Sequence, residues 1–486
     1  MNKIILPLLS LLLILQSCGP TKEVHFVHTL APILKQPVLA DFDTTAYFQA
    51  FDETFNKLKS SLKNPKWMAQ FYADHHRKLQ LTESQLLMGG MDTLCYFLSQ
   101  AESHGMRGTY FHQVELQQAL KELRTKKYTD VAEAYKTLAT LEIRANDAFV
   151  AYINMLQYGA INPKNLYGRY FEKVIRGDFK RSEAAALRTD WAFFLDSIQP
   201  EIKAYKSFQE ALAGPLSTAK REQIYLSMER LRWKGVDFPQ EYIMVNIPEQ
   251  QLRIVKEQEV QLMMRVCIGE TDYAPFSKKG VNHETPILSG LIDRMQVNPV
   301  WNIPQSIVKK ELLDKLIENP SYLENRNMVA YNKKGQLVDP QTVDWSADSV
   351  KSYSFKQNPG ADNSLGNIKF IFKNPYAIYL HDTPSKAAFG AANRAVSHGC
   401  VRVEKPVDLA AYLVKDTVEA QKIKEEMLSD NTTSRWVKMK KGIPVFMTYY
   451  TTWFDPKGKI TQYPDIYGYD APLKEKMKKY FPKIAS

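Results

Sequence analysis

Residues that can do covalent chemistry together fall within one short span. The run AVSHGCVRVEKP, residues 395–406, sets Ser397, His398, Gly399 and Cys400 in a row, with Arg402 two positions on. A thiolate is the attacking form of cysteine, and an unperturbed thiol is mostly protonated at neutral pH, so a nucleophilic Cys400 needs a base or a positive charge beside it. His381, in AIYLHDTPS, is a candidate base, and the small-residue stretch between it and Cys400 is long enough to fold back and bring the two together. Gly399 frees the backbone before the thiol, so that main-chain N–H groups there can aim at a developing oxyanion; such a donor is worth about 2.7–4 kcal/mol. Arg402 could hold a substrate carboxylate or favour the ionised thiol. His398 fits bracing of the loop better than proton transfer, because neighbouring side chains on an extended chain point apart. Two blander readings stand beside this one: a buried, inert cysteine, and a zinc site made of His381, His398 and Cys400. The zinc spacing matches no usual ligand pattern, and no metal is expected.

These residues must be positioned by strands. If 377–381 is extended, Ile378 and Leu380 face a core while Tyr379 and His381 share the opposite face, His381 pointing outward at the strand end. The same alternation puts Cys400 and Arg402 on one face of CVRV and Val401 and Val403 on the other. Strands are also expected at YIMVNIP, QLRIV and VQLMMRVCIG, with KEQE as a hairpin turn, at IKFIF, and on either side of a turn at Asp455–Gly458; a helix follows Pro406. Residues 304–357 read as a polar, partly helical insertion without a sheet strand, a candidate lid. Before all this, residues 41–235 are helical in pattern. LTESQLLMGGMDTLCYFL opens with Thr82 and Gln85 at capping-box spacing, and RSEAAALRTDWAFFLDSI carries apolar residues three and four apart. The fold class is α+β.

The chain has 486 residues, enough for two or three domains, and its 44% apolar and 24% charged residues suit a folded protein. Its net charge of +11 is spread along the sequence, and no nucleic-acid motif accompanies it, so nucleic acid is not an expected partner. The start, MNKIILPLLSLLLILQSC, has Lys3, an apolar run from Ile4 to Leu15, and Cys18. That run is too short for a membrane span of roughly 20 residues, and its layout is that of a secretory signal peptide. Leu15, Ser17 and Cys18 resemble the lipobox of bacterial lipoproteins, so residues 1–17 are expected to be removed and Cys18 lipidated, tethering an exported, periplasmic protein to a bacterial membrane; Gln16 is not the commonest residue at its place, and a plain cleaved signal is the alternative. Cys95, Cys267 and Cys400 remain; either two of them pair or all three are reduced.

HDTPSKAAFGAANRAVSHGCVRV resembles the active-site signature of the L,D-transpeptidases, whose catalytic domain is of the YkuD type. MERLRW, VNIP, NPVWNIP, QNPGADNSLGNIKF and YLHDTPS extend the resemblance to the larger YcbB-like subgroup. It implies a linker at 18–40, a helical scaffold at 41–235, a β-sandwich-like catalytic domain of mixed sheets at 236–470 with a capping insertion at about 305–357, and a tail at 471–486. It implies Cys400 as nucleophile and His381 as base, with Tyr379, Asp382, Ser397, His398 and Gly399 supporting the site and Arg402, Trp301 and Asn302 adding to substrate binding. The implied donor is a tetrapeptide stem of peptidoglycan and the acceptor a diamino-acid side-chain amine of a second stem, joined in a 3→3 cross-link without any cofactor. It also implies acylation by carbapenems and a part in cell-wall organisation and cell shape. Larger relatives carry a peptidoglycan-binding module before MERLRW, where this sequence runs straight through.

Overall fold

The computed structural model describes residues 31–75, 85–233, 238–274, 276, 282–429 and 432–482; the leader with Cys18, and Thr82 of the capping box, lie outside them. Two compact units are formed, one from 1–156 and 177–199 and the other from 157–176 and 200–486. No described helix is long and apolar enough to cross a membrane.

The first unit is helical. Helices α1 (Thr44–Leu58), α2 (Pro65–Asp74), α3 (Gly90–Ser99) and α4 (Gln113–Thr125) precede α5 (Val131–Tyr158), and α6 (Phe179–Ala186) and α7 (Trp191–Ser197) complete it. From Leu141 to Ile153 every residue of α5 is buried, which marks it as the central helix. Its polar members survive burial because they are bonded: Asp147 accepts the backbone N–H groups of Lys63 and Asn64 at 2.8 and 2.9 Å. Trp191 of α7 stacks on Phe149 of α5 with ring centroids 3.9 Å apart.

In the second unit α8 (Lys203–Ala213) and α9 (Thr218–Arg232) lead into the sheet. MERLRW ends α9, with Trp233 as its C-cap, and its charges are buried structure: Glu229 pairs with Arg232 at 2.8 Å and accepts the Ile161 N–H, while Arg230 pairs with Asp470 at 2.7 Å. Strands β1 (Glu241–Asn246), β2 (Gln251–Lys256) and β3 (Glu259–Gly269) follow, the last two joined by Glu257 and Gln258, both at positive φ, a tight turn that matches the twist of a hairpin. Then come β4 (Ser289–Val297), β5 (Trp301–Ile303), β6 (Met328–Tyr331), β7 (Leu337–Val338), β8 (Ser354–Gln357), β9 (Ile368–Phe372), β10 (Leu380–His381), β11 (Ala395–Ser397) and β12 (Val401–Val403). Helices α10 (Pro406–Val414) and α11 (Thr417–Leu428), strands β13 (Arg435–Thr448), β14 (Thr452–Phe454) and β15 (Ile460–Gln462), and α12 (Asp470–Met477) end the unit. Residues 470–477, read from sequence as running into a tail, bury Leu473 and Met477.

Nine strands form one sheet in the order β11-β3-β12-β10-β9-β4-β13-β1-β2, and β2 also pairs with β3. The pairing therefore closes on itself. The long strands β3 and β13 make this feasible, since each bonds different partners along its length. β1–β13, β10–β12 and β11–β3 are parallel and the other pairs antiparallel, so the sheet is mixed. The fold is α+β, as expected from sequence.

The insertion differs from its expectation. Residues 304–357 contribute β6, β7 and β8, which with β5 form a separate four-stranded sheet, β5-β8-β6-β7. These strands are two to four residues long and interrupted by polar turns, too short for alternation to show. A helical run over residues 305–318, with a π turn at Val308–Leu312, packs on this sheet. Val308, Leu312, Leu316, Leu323, Trp345 and Phe355 make a core of its own.

Candidate active site

Parallel pairing of β10 with β12 sets Leu380 opposite Val401 and His381 opposite Arg402, and the Val401 N–H donates to the Tyr379 carbonyl at 3.1 Å. Continuing that register places Tyr379 beside Cys400. Val401 and Val403 are wholly buried, while Cys400 and Arg402 turn to the other face. The extended stretch is shorter than the sequence reading had it. Only 380–381 is strand, and Ala377 sits at φ +54°. His381 does not face outward either: it is 5% exposed.

The loop before Cys400 is held from both sides. Ser397 Oγ donates to the Cys400 carbonyl at 2.6 Å and accepts the Gly399 N–H at 3.2 Å. Gly399 adopts φ +108°, where a side chain would be strained. Thr285 Oγ1 donates to the Gly399 carbonyl and accepts the Gly269 N–H, both at 2.9 Å. Of the two N–H groups nearest the sulfur, that of Gly399 is thus engaged, while that of Cys400 meets no acceptor among the described residues.

Cys400, Cys95 and Cys267 are all free thiols. Cys400 Sγ lies 3.6 Å from the Ala377 carbonyl. Burial pushes its thiol up to about 11, against the pull of the Tyr379 backbone and hydroxyl and of the Arg402 and Lys369 charges. Burial and the Arg402 charge push His381 down to about 3, although the Asp382 and Leu365 carbonyls favour its protonation. Its Nδ1 is 2.5 Å from the Asp382 carbonyl, so Nδ1–H donates there. No hydrogen bond joins His381 to the sulfur among the described residues; Tyr379 contacts both, its ring 5.7 Å from that of His381 and its hydroxyl toward Cys400.

The other candidates divide. Trp301 reaches the group by hydrogen bonding to Tyr379. Asn302, next along β5, is exposed and opposite Lys356 in the insertion sheet, away from the thiol. The Asp382 carboxylate accepts the Asn367 N–H at 3.1 Å and pairs with Lys386. A Cβ at Gly366 would come within 2.5 Å of the Asp382 side chain, which is why glycine stands there, at φ +59°. His398 projects to a part-exposed position, its Nε2 2.6 Å from Glu311 Oε1. Arg402 Nε is buried and meets no acceptor among the described residues.

Sequence reasoning missed Lys369. It sits opposite His381 on β9, donates to the Val300 carbonyl at 3.2 Å and lies 5.9 Å from the Tyr379 ring centre; burial lowers it to about 8. Alternation in IKFIF would have put it on the face away from the phenylalanines. Thr285 carried no such signal, being 114 residues from Gly399.

A helical unit followed by a mixed-sheet unit with a thiol, a buried neutral imidazole and two cations on one face is the arrangement of a scaffolded acyltransferase-type enzyme. Residues 240–423 match the L,D-transpeptidase catalytic domain of the YkuD type and residues 66–212 the scaffold domain. The catalytic domain of this chain belongs to the L,D-transpeptidase family, with the YcbB-like pairing of scaffold and catalytic domains. A Haemophilus influenzae (strain ATCC 51907 / DSM 11121 / KW20 / Rd) protein named "Putative L,D-transpeptidase" is 33% identical over 283 residues, 58% of this chain and 55% of the relative. The chain thus spans about half the length of the curated relative it matches.

Proposed function

We propose that this protein is a peptidoglycan L,D-transpeptidase that forms 3→3 cross-links through a thioester on Cys400. The observation that carries the reading is the free Cys400 thiol, flanked by the Tyr379 hydroxyl and by the Lys369 and Arg402 charges, within a domain of this family. Sγ attacks the carbonyl carbon of the third stem residue, the bond to D-alanine breaks, and the thiol proton passes to the leaving amine. His381 serves that transfer. It is neutral and shares the sheet face with Cys400, and apo contacts of this kind tighten in the substrate complex. The Cys400 N–H donates to the oxyanion, and Arg402 takes a substrate carboxylate. An amine of a second stem then attacks the thioester, releasing the thiol and completing the cross-link. Gly399, already bonded to Ser397, orients the loop rather than the oxyanion.

The test is 3→3 dimer formation from purified disaccharide tetrapeptides. Cys400→Ala should lower it by at least ~10³-fold, as loss of a nucleophile does. Undiminished dimer formation would refute the role, and free tripeptide without dimer from the unaltered protein would make water the acceptor. A carbapenem mass adduct on Cys400 is the accompanying expectation. We read the protein as exported and periplasmic, held to a membrane by lipid on Cys18.

A further inference from the structure

We propose that Glu270, His283 and His398 form a binding site for a divalent metal of the zinc class, beside the loop that carries Cys400. Their ligand atoms all lie within 4.8 Å of one another. Tetrahedral zinc with bonds of 2.0–2.1 Å needs ligand atoms about 3.4 Å apart. One edge has that length already, since His283 Nδ1 is 3.3 Å from Glu270 Oε1. Closing the triangle needs only a shift of roughly 1.4 Å, and His398, the exposed member, can supply it. Two imidazoles and one carboxylate are a donor set suited to zinc and its transition-metal neighbours rather than to magnesium or calcium.

The surroundings favour this reading over a chance meeting of side chains. The segments are pre-joined by backbone bonds: Glu270 N–H donates to the Ser397 carbonyl and His283 N–H to the Glu270 carbonyl, both at 2.9 Å. The imidazoles of His283 and His398 face each other with centroids 4.7 Å apart, an unfavourable neighbourhood for two cations. Glu311, in the π turn of the insertion, accepts from His398 Nε2 at 2.6 Å, leaving Nδ1 for the metal; a carboxylate on the far nitrogen is the usual partner of a metal-bound histidine. Lys310 and Arg402 add positive charge nearby, which opposes the bound cation. A metal here would tie the end of β3 and the Cys400 loop to the insertion through Glu311.

The experiment titrates Zn²⁺ by calorimetry into chelator-treated, untagged protein beginning at residue 19. One zinc per chain is expected. His283→Gln and Glu270→Gln should each weaken binding at least ~10-fold, and Glu311→Gln to a lesser degree. Cys400→Ala should bind zinc as the unaltered protein does, which separates this site from the transpeptidase reading. Unfolding temperatures of the metal-free variants establish that each is folded, and the isosteric Glu270→Gln decides the matter if His283→Gln is not. Absence of binding, equal affinity in Glu270→Gln, or loss of binding in Cys400→Ala would overturn the proposal.

Discussion

A thiol raised to about 11 beside an imidazole lowered to about 3 means that both groups are neutral at pH 7. A base at the ordinary imidazole value would cost activity on the acid side as it protonates; a ring this strongly depressed moves that limb well below pH 5. The pH dependence to look for lies on the alkaline side. Alkylation of Cys400 should rise about tenfold per unit through pH 7–10, following the thiolate fraction. Lys369 should promote that ionisation while it is charged, which it ceases to be above about 8. Lys369→Met should therefore slow alkylation by roughly 3- to 10-fold at pH 7, with the gap narrowing above pH 8. Equal rates at pH 7 would remove the lysine from the thiol's electrostatics. Cys400, Arg402 and Tyr379 were legible as a group because strand alternation needs no tertiary information. The burial of His381 was not, since the Leu365 carbonyl that also faces its ring comes from a separate loop before β9.

Among the elements, the insertion departs most from its sequence pattern. Its core is independent of the nine-stranded sheet, and Phe355 on β8 is 1% exposed within it. Truncating a buried phenylalanine removes contacts and leaves a cavity, costing about 3–5 kcal/mol. Phe355→Ala should thus open the insertion, seen as faster amide exchange across residues 305–357, while β3, β4 and β13 keep their protection. Loss of protection throughout the catalytic domain would mean that the two cores fold as one. Short strands explain why this sheet was hidden: β7 has two residues and β5 three, below the length at which a period of two can be counted. The long β3 and the hairpin before it were plain, with eleven and six residues of β-rich sequence around a charged turn.

At the scale of the whole molecule, the N-terminal cysteine gives the remaining prediction. Cys18→Ser should move the protein from the membrane pellet to the soluble fraction and abolish labelling by a radioactive fatty acid; retention in the pellet with labelling undiminished would refute lipidation. The order of helical and sheet regions, the loop SHGC and the turn at Asp455–Gly458 were determined by sequence alone, because each is a local matter of periodicity, turn chemistry or residue type. Tertiary structure decided what those parts meet: that MERLRW is a buried ion network, that Lys369 lies near the thiol, that the Gly399 N–H is already bonded, and that Glu270, His283 and His398 converge. Some of these contacts join segments far apart in the chain, Arg230 with Asp470 and His283 with His398 among them, and the register of a closed, mixed sheet depends on every strand in it at once. No local pattern carries that information, and packing supplies it.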